Sequence, residues 1–211
     1  MRAELPDKAR IVLADAQYVI AREYGFPSWP ALREHIETRA AEERPAVERF
    51  KKAVQEADAK TVRRLLEQHD ELRASINEPV FPFDAPAIVA ASDLNVVDVL
   101  LAFGADPNRR SRWWAGGFHP LHGARGPVAD RLLAAGAIPD ACAAANLDRR
   151  DLLARMLAED PARVHERGGD GQTPLHFARS RPVVDLLLDA GADLDARDVD
   201  HRSTAAEWML G

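Results

Sequence analysis

Apolar residues in the second half of the chain recur in short paired segments that end at a glycine. In the clearest pair, five of the six residues 183–188 are apolar, so the helix that they predict is apolar on nearly every side. Gly191 follows shortly after this segment. Such a helix is covered by neighbours on more than one side, and the glycine supplies the left-handed conformation that closes its last turn. Upstream, Thr173 is a good N-cap and Pro174 suits the first helical position, so a shorter helix is predicted to begin there.

The same pattern occurs further upstream, with a proline opening the first helix and a glycine closing the second. The interval from Pro86 to Pro120 is close to one repeat period, whereas the interval from Pro120 to Pro174 is too long for one unit and short for two. Residues 139–165 fill this longer interval with two more apolar segments, but no usual turn precedes them. The spacing predicts stacked helix pairs in which one unit lacks its preceding turn.

Residues 170–178 read Asp-Gly-Gln-Thr-Pro-Leu-His-Phe-Ala and, with the helix that follows, resemble the ankyrin repeat in almost every signature position. The resemblance implies an all-α fold, an ankyrin-repeat solenoid of stacked helix-turn-helix units, over residues 45–211. We expect about five repeats and a truncated last one that begins near Asp200. The intervals between opening proline and closing glycine are shorter than is typical of the family, so the loops between paired helices are predicted to be trimmed.

Residues 1–44 are predicted to form a separate element. A helix is expected over residues 7–24, and a second helix is expected to begin after Ser28. The segment 14–30 resembles the helical hairpin that precedes the repeats in a group of bacterial ankyrin proteins. The resemblance implies that this hairpin caps the first repeat, with Pro45 at the join between the two domains. After the join, residues 47–54 and 61–67 are predicted to form two short amphipathic helices.

Composition narrows the function classes. The net charge of −6 argues against general nucleic-acid binding, and no run approaches the length of roughly 18 apolar residues that a membrane span needs. Charged side chains recur throughout positions 1–20, which excludes the apolar segment of a secretory signal. The single Cys142 cannot form an internal disulfide, and basic residues are mostly arginine. We therefore expect a cytoplasmic, bacterial protein without nucleic-acid or membrane partners.

His119 and His122 are the first candidates for chemistry, because two histidines three positions apart can share a metal ion. The alternative is that His122, like His176, is the histidine of the repeat itself, which in the ankyrin family hydrogen-bonds backbone groups between adjacent turns. This alternative is favoured because no cysteine pair or carboxylate cluster completes a ligand set. Cys142 lies in an alanine-rich segment and is interpreted as a buried structural thiol. We predict no catalytic residue, no metal and no cofactor.

The longest turn carries the residue types that dominate protein-binding hot spots. The candidate partner surface consists of Arg109, Arg110, Arg112, Trp113, Trp114 and Phe118, together with Phe81 and Phe83 of the neighbouring turn. The alternative is that Trp113 and Trp114 fold back over the shortened turn beside them. Because tryptophan is highly buried on average and yet enriched at interfaces, the residues alone leave both alternatives open.

These observations predict a non-catalytic protein–protein interaction module that presents turn tips and a concave helical face to a protein partner. Two alternatives stay open: the recognition portion of a larger bacterial effector or regulatory protein, or a histidine-based metal-binding protein or enzyme. Trp208, Met209 and Leu210 have no second helix after them to cover their apolar surface. We therefore expect a truncated chain, or else a chain that is a monomer or self-associates weakly through its uncapped C-terminal end.

Overall fold

The computed structural model describes residues 12–210, without the side chains of residues 38–44, 209 and 210. The beginning of the first predicted helix, residues 7–11, and the side chains of Met209 and Leu210 lie outside the described residues. Within them the chain is helical, and it forms two compact units that divide between Glu48 and Arg49. None of the described helices is both long and apolar enough to cross a membrane.

The first unit contains helix α1 (Leu13–Glu23) and the larger part of helix α2 (Trp29–Gln55). The turn between them passes through Gly25 at a φ of 83°, a left-handed conformation that glycine adopts without steric cost. Beyond the turn, the rings of Phe26 and His35 lie 4.9 Å apart. The two predicted helices are therefore present, and their role as a cap of the first repeat stays a prediction.

Helix α2 continues beyond the predicted join. Pro45 lies inside the helix, which runs on to Gln55 and includes the segment that was expected to form a separate helix from residue 47. The prediction of a separate helix is therefore wrong. An internal proline removes one backbone hydrogen bond and costs about 3 kcal/mol, but the alanine, glutamate and arginine residues that precede it are strong helix formers and favour continuation.

The second unit is a stack of helix pairs, in most of which a short helix is followed by a longer one. The short helices α5, α7 and α11 have four residues each, which agrees with the trimmed spacing in the sequence. In chain order the helices of this unit after α2 are α3 (Ala59–Gln68), α4 (Asp70–Ala74), α5 (Ala87–Ala90), α6 (Leu94–Ala102), α7 (Pro120–Gly123), α8 (Gly126–Ala134), α9 (Ala141–Asn146), α10 (Arg150–Glu159), α11 (Pro174–Phe177), α12 (Arg181–Asp189) and α13 (Ala205–Leu210).

Helices in equivalent positions of the pairs stack on one another. One layer consists of the short helices, which pack in the order α5, α7, α9, α11 and α13. A second layer consists of the longer helices, in which α6 packs between α3 and α8, and α10 packs against α12. The core between the layers is apolar, and Leu100, Leu121, Leu132, Leu153 and Leu187 are almost completely buried there. Burial of such side chains stabilises the stack by about 2 kcal/mol each. The predicted all-α class of stacked helix-turn-helix units is confirmed.

The helix pair α9–α10 has no turn of its own before it, as the spacing predicted. Gly136 at the end of the preceding pair is only four positions from Asp140, the N-cap of α9. The turns on either side therefore meet directly, and the backbone N–H of Asp170 donates to the carbonyl oxygen of Gly116 at 3.3 Å. A Cβ on Gly116 would lie 2.4 Å from the carbonyl oxygen of Gly168, so this approach of two backbones requires glycine.

Asp140 links this helix pair to the turns that stack around it. Its nearly buried carboxylate accepts hydrogen bonds from the backbone N–H of Ala143 at 2.6 Å, from Nε2 of His122 at 2.9 Å and from the guanidinium of Arg110. The other ring nitrogen of His122 accepts the backbone N–H of Gly169 at 3.4 Å. Burial alone would raise the pKa of Asp140, but these donors hold it well below its usual range.

Replacing Asp140 with alanine is expected to lower the free energy of unfolding by about 3 kcal/mol or more, because α9 loses its N-cap and Arg110 and His122 lose a buried partner. Urea denaturation followed by circular dichroism would measure the change. Asp98→Ala is the matched control, since Asp98 pairs with Arg131 at 2.5 Å but is 48% exposed, and its loss should cost less than about 1 kcal/mol. Equal losses in the two variants would contradict the linking role of Asp140.

Candidate functional site

The predicted partner surface centres on residues 109–118, which we call the aromatic turn. Its base is closed by two reciprocal hydrogen bonds: Ser111 N–H donates to the carbonyl of Phe118 at 2.9 Å, and Phe118 N–H donates to Oγ of Ser111 at 2.9 Å. Gly117 sits so close to this closure that a Cβ there would lie 2.6 Å from the carbonyl oxygen of Ser111. The aromatic turn therefore presents its side chains from a fixed base, which lowers the entropic cost of binding.

The three arginines of the aromatic turn are all ion-paired within the chain. Arg109 and Arg112 contact the two carboxylate oxygens of Glu78, at 3.4 and 2.9 Å, and Arg110 pairs with Asp140. Their side chains nevertheless remain between 37% and 55% exposed. These arginines hold the turn in position, and they leave part of each side chain open to solvent.

Four of the predicted aromatic residues form one cluster. Phe83 meets Trp113 edge-on with ring centroids 5.2 Å apart and meets Phe118 at 5.4 Å, while Trp113 and Trp114 are 5.8 Å apart. Trp114 is 67% exposed and Phe83 is 46% exposed, whereas Trp113 and Phe118 are partly buried. The two alternatives for the tryptophan pair therefore apply to different residues, since Trp113 folds back and Trp114 faces solvent.

Phe81, the remaining predicted residue, lies mostly in the core. It is only 7% exposed, and its ring meets that of Phe50 at 6.5 Å. It also contributes to an apolar surface groove of about 340 Å³ whose wall includes Phe81, Phe83, Val89 and Phe118. We call this depression the aromatic groove. The predicted aromatic residues of the two turns are thus brought together, with Trp114 beside the cluster that lines the groove.

His122 and His176 serve the structural role that the sequence favoured. Nε2 of His176 hydrogen-bonds the carbonyl oxygen of Ser203 in the next turn at 3.1 Å, and its Nδ1 accepts the backbone N–H of Thr173 at 3.2 Å. His122 likewise uses one ring nitrogen for Asp140 and the other for backbone N–H groups. Because both nitrogens of each ring are occupied, neither side chain has a free lone pair for a metal ion.

Cys142 is completely buried in α9. Burial raises the pKa of its thiol well above the ordinary value, so at neutral pH the sulfur is protonated and a poor nucleophile. The thiol lies 3.8 Å from the carbonyl oxygen of Gln172, a weak contact. The predicted burial of the Cys142 thiol is confirmed.

Two polar residues that position this region were missed from the sequence. Asp140 precedes an alanine-rich segment, which is an N-cap pattern, but its partners His122 and Arg110 are distant in the chain. Asn146 is buried and donates to the carbonyls of Leu121 and Ala124 at 3.0 and 3.1 Å. A polar residue at the end of an otherwise apolar helix is the only local signal for Asn146.

Comparisons with known proteins identify an ankyrin repeat within the chain. The family model of the ankyrin repeat matches residues 170–199. A chain from the complex of the predatory endopeptidase Bd0816 of Bdellovibrio bacteriovorus with immunity protein Bd3460 is 19% identical, with a TM-score of 0.43, over 77% of this chain and 90% of that one. The human ASB11 ankyrin repeat domain is also 19% identical, with a TM-score of 0.30, over 75% and 90% of the two chains. No curated protein sequence matches this chain.

Residues 170–199 therefore match the ankyrin repeat family. Most of the helix pairs stacked before them have the same order of a short helix followed by a longer one. Arrays of this kind bury their helices against neighbouring repeats and leave an extended surface open. In general they act as protein-interaction modules rather than as catalysts.

The two tryptophans of the aromatic turn should respond differently to truncation. Trp113→Ala is expected to lower the free energy of unfolding by about 2 kcal/mol, because the partly buried indole packs against Phe83. Trp114→Ala should change it by no more than about 0.5 kcal/mol, because that side chain is 67% exposed. Urea unfolding of both variants would test this, and a larger loss for Trp114→Ala would refute the assignment of Trp114 as the free side chain.

We expect His119 to make the stability of the repeat stack depend on pH. Its Nδ1 accepts the backbone N–H of Leu121 at 3.0 Å, and burial, followed by the charge of His122, lowers its pKa to about 4. This value is below that of the unfolded chain, near 6.5, so the unfolded state takes up the proton first. The contribution of His119 to the free energy of unfolding is therefore complete above about pH 6.5 and is lost as the pH falls toward about 4. The total loss is about 3 kcal/mol.

We expect His119→Thr to flatten this dependence, since threonine occupies the matching position at Thr173 and does not titrate. Some slope should remain, because burial also lowers the pKa of His176. The measurement is the free energy of unfolding in urea at several values between about pH 7 and 4. A variant whose slope equals that of the wild type would show that His119 is not the titrating group.

Proposed function

We propose that this chain is a non-catalytic interaction scaffold whose protein partner binds across the aromatic groove and the exposed indole of Trp114. The observation that carries the proposal is the apolar groove beside a solvent-facing tryptophan, on a turn whose base is closed by hydrogen bonds. On composition alone, we further propose that it acts in a bacterial cytoplasm.

The exposed aromatic side chains supply the kind of surface on which binding energy concentrates. Trp114 and Phe83 are 67% and 46% exposed and share contacts with Trp113. Single exposed apolar residues are common on protein surfaces, but a contiguous aromatic patch beside a groove is typical of interaction sites. An aromatic side chain buries roughly 150–250 Å² when it is covered, so covering this patch would release substantial free energy.

The charged residues around the patch suit the rim of an interface. Arg109 and Arg112 are fixed by Glu78 on one side, and Arg110 is fixed by Asp140 on the other. Side chains already held in one geometry lose little conformational freedom on binding. A polar rim of this kind excludes water from a central apolar contact, and that contact then carries most of the affinity.

The double variant Phe83→Ala with Trp114→Ala tests the site. Immobilised wild-type chain is expected to capture a partner from a lysate of the source organism, and the double variant is expected to lose it. For the partner isolated in this way, the Kd should rise by roughly thirtyfold or more, which corresponds to about 2 kcal/mol. Isothermal titration calorimetry with the purified pair would give the value.

Ile138→Ala with Leu194→Ala is the matched control, because these two apolar side chains are 72% and 59% exposed and lie outside the groove. The control should bind as tightly as the wild type. Equal binding by the aromatic double variant would reject the site, and the absence of any specific capture by the folded wild-type chain would reject the scaffold proposal itself.

A further inference from the structure

Three metal-ligating side chains converge where the last two turns of the stack meet. One potential ligand atom from each of Asp170, Asp200 and His201 lies within 4.8 Å of the other two. Asp170 belongs to the turn before α11, whereas Asp200 and His201 belong to the turn before α13. The group is separate from the aromatic groove, and the proposed scaffold function makes no use of it.

The two turns are held together by hydrogen bonds of their backbone, and the ring of His201 packs against a neighbouring side chain. The backbone N–H of Val199 donates to the carbonyl oxygen of Asp170 at 2.8 Å, which joins one turn to the other. The backbone N–H of His201 donates to Oδ1 of Asp198 at 2.7 Å, and the His201 ring meets Trp208 edge-on at 5.1 Å. The ligand atoms are therefore close together because of the fold, and not because of flexible surface side chains alone.

Asp170 has a buried carboxylate oxygen that no other group binds. The residue is only 6% exposed, and its Oδ1 is one of two buried side-chain atoms without a hydrogen-bond partner among the described residues. The other is Nε1 of Trp113. A buried polar atom left unpaired costs about 1–3 kcal/mol, and more when it is charged.

The negative charges of Asp170 and Asp200 are also not balanced by a basic side chain among the described residues. Among the described residues, neither Asp170 nor Asp200 makes an ion pair with lysine or arginine. One potential ligand atom of Asp170 lies within 4.8 Å of one of Asp200. Two carboxylates this close repel each other, and a bound cation would relieve that repulsion.

We propose that Asp170, Asp200 and His201 bind a divalent transition-metal ion, with Zn²⁺ as the ion that suits them best. Zn²⁺ takes imidazole nitrogen and carboxylate oxygen together, whereas Mg²⁺ and Ca²⁺ prefer oxygen alone. Zinc–ligand bonds are short, about 2 Å, so the three atoms must draw closer than they are now. Asp200 is half-buried and His201 is exposed, so these two side chains can make the adjustment around the fixed Asp170.

The bound ion would clip the turn before α13 to the ankyrin repeat at residues 170–199. Three protein ligands leave one tetrahedral position for water or for a group on a partner. An ion that binds only the folded state stabilises it more as the free ion concentration rises above the Kd, so the ion should raise the melting temperature of the chain.

Titration of the purified chain with ZnCl₂, by isothermal titration calorimetry and by thermal melting, tests the site without a protein partner. We expect one Zn²⁺ per chain and a higher Tm in its presence. Asp170→Asn, Asp200→Asn and His201→Ala should each weaken binding by about tenfold or more. Asp200→Asn alters a half-buried side chain, so it remains informative even if Asp170→Asn fails to fold.

Asp195→Asn is the matched control, because it removes one exposed carboxylate from the preceding loop and lies outside the three ligands. It should bind Zn²⁺ like the wild type. Absence of Zn²⁺ binding would overturn the proposal. Binding that is unchanged in the three ligand variants would also overturn it and would indicate an adventitious ion only. Binding of Ca²⁺ or Mg²⁺ that survives His201→Ala would overturn the assignment to a transition metal.

Discussion

The carboxylate of Asp140 takes the place of a missing turn, and the arrangement of the later repeats depends on it. In a regular stack each turn rests on the turn of the next repeat. Here one repeat has none, and Asp140 instead joins α9, His122 and Arg110 through three hydrogen bonds. Its ionisation is favoured because these donors outweigh the cost of its burial. A single charged side chain thus compensates for the loss of a backbone element.

The two proposed sites both depend on the absence of that turn. Because the intervening turn is absent, the aromatic turn and the turn containing Asp170 lie directly against each other, with Gly116 and Gly168 in close backbone approach. The indole nitrogen of Trp113 is buried, whereas Trp114 faces solvent. The same contact buries Asp170 beside the last turn, where Asp200 and His201 approach it.

Local signals in the sequence were sufficient for the architecture but not for the site. Prolines at helix starts and glycines at helix ends predicted the helix pairs and the absent turn, because these residues act through the conformation of their own backbone. The continuation of α2 through Pro45 was not predicted, since surrounding helix formers outweighed one breaker. The different environments of Trp113 and Trp114, and the partners of Asp140, depend on contacts between residues far apart in the chain, which periodicity does not encode.

The direct contact between Gly116 and Gly168 also bears on how the molecule folds. Repeat proteins usually behave as one-dimensional chains in which each unit interacts only with its nearest neighbours, so that ends can unravel independently. Here the repeats on either side of α9–α10 touch each other as well as the pair between them. We therefore expect three successive repeats to unfold as one cooperative block, and the closing of a long loop between residues 116 and 168 to contribute to the barrier to folding.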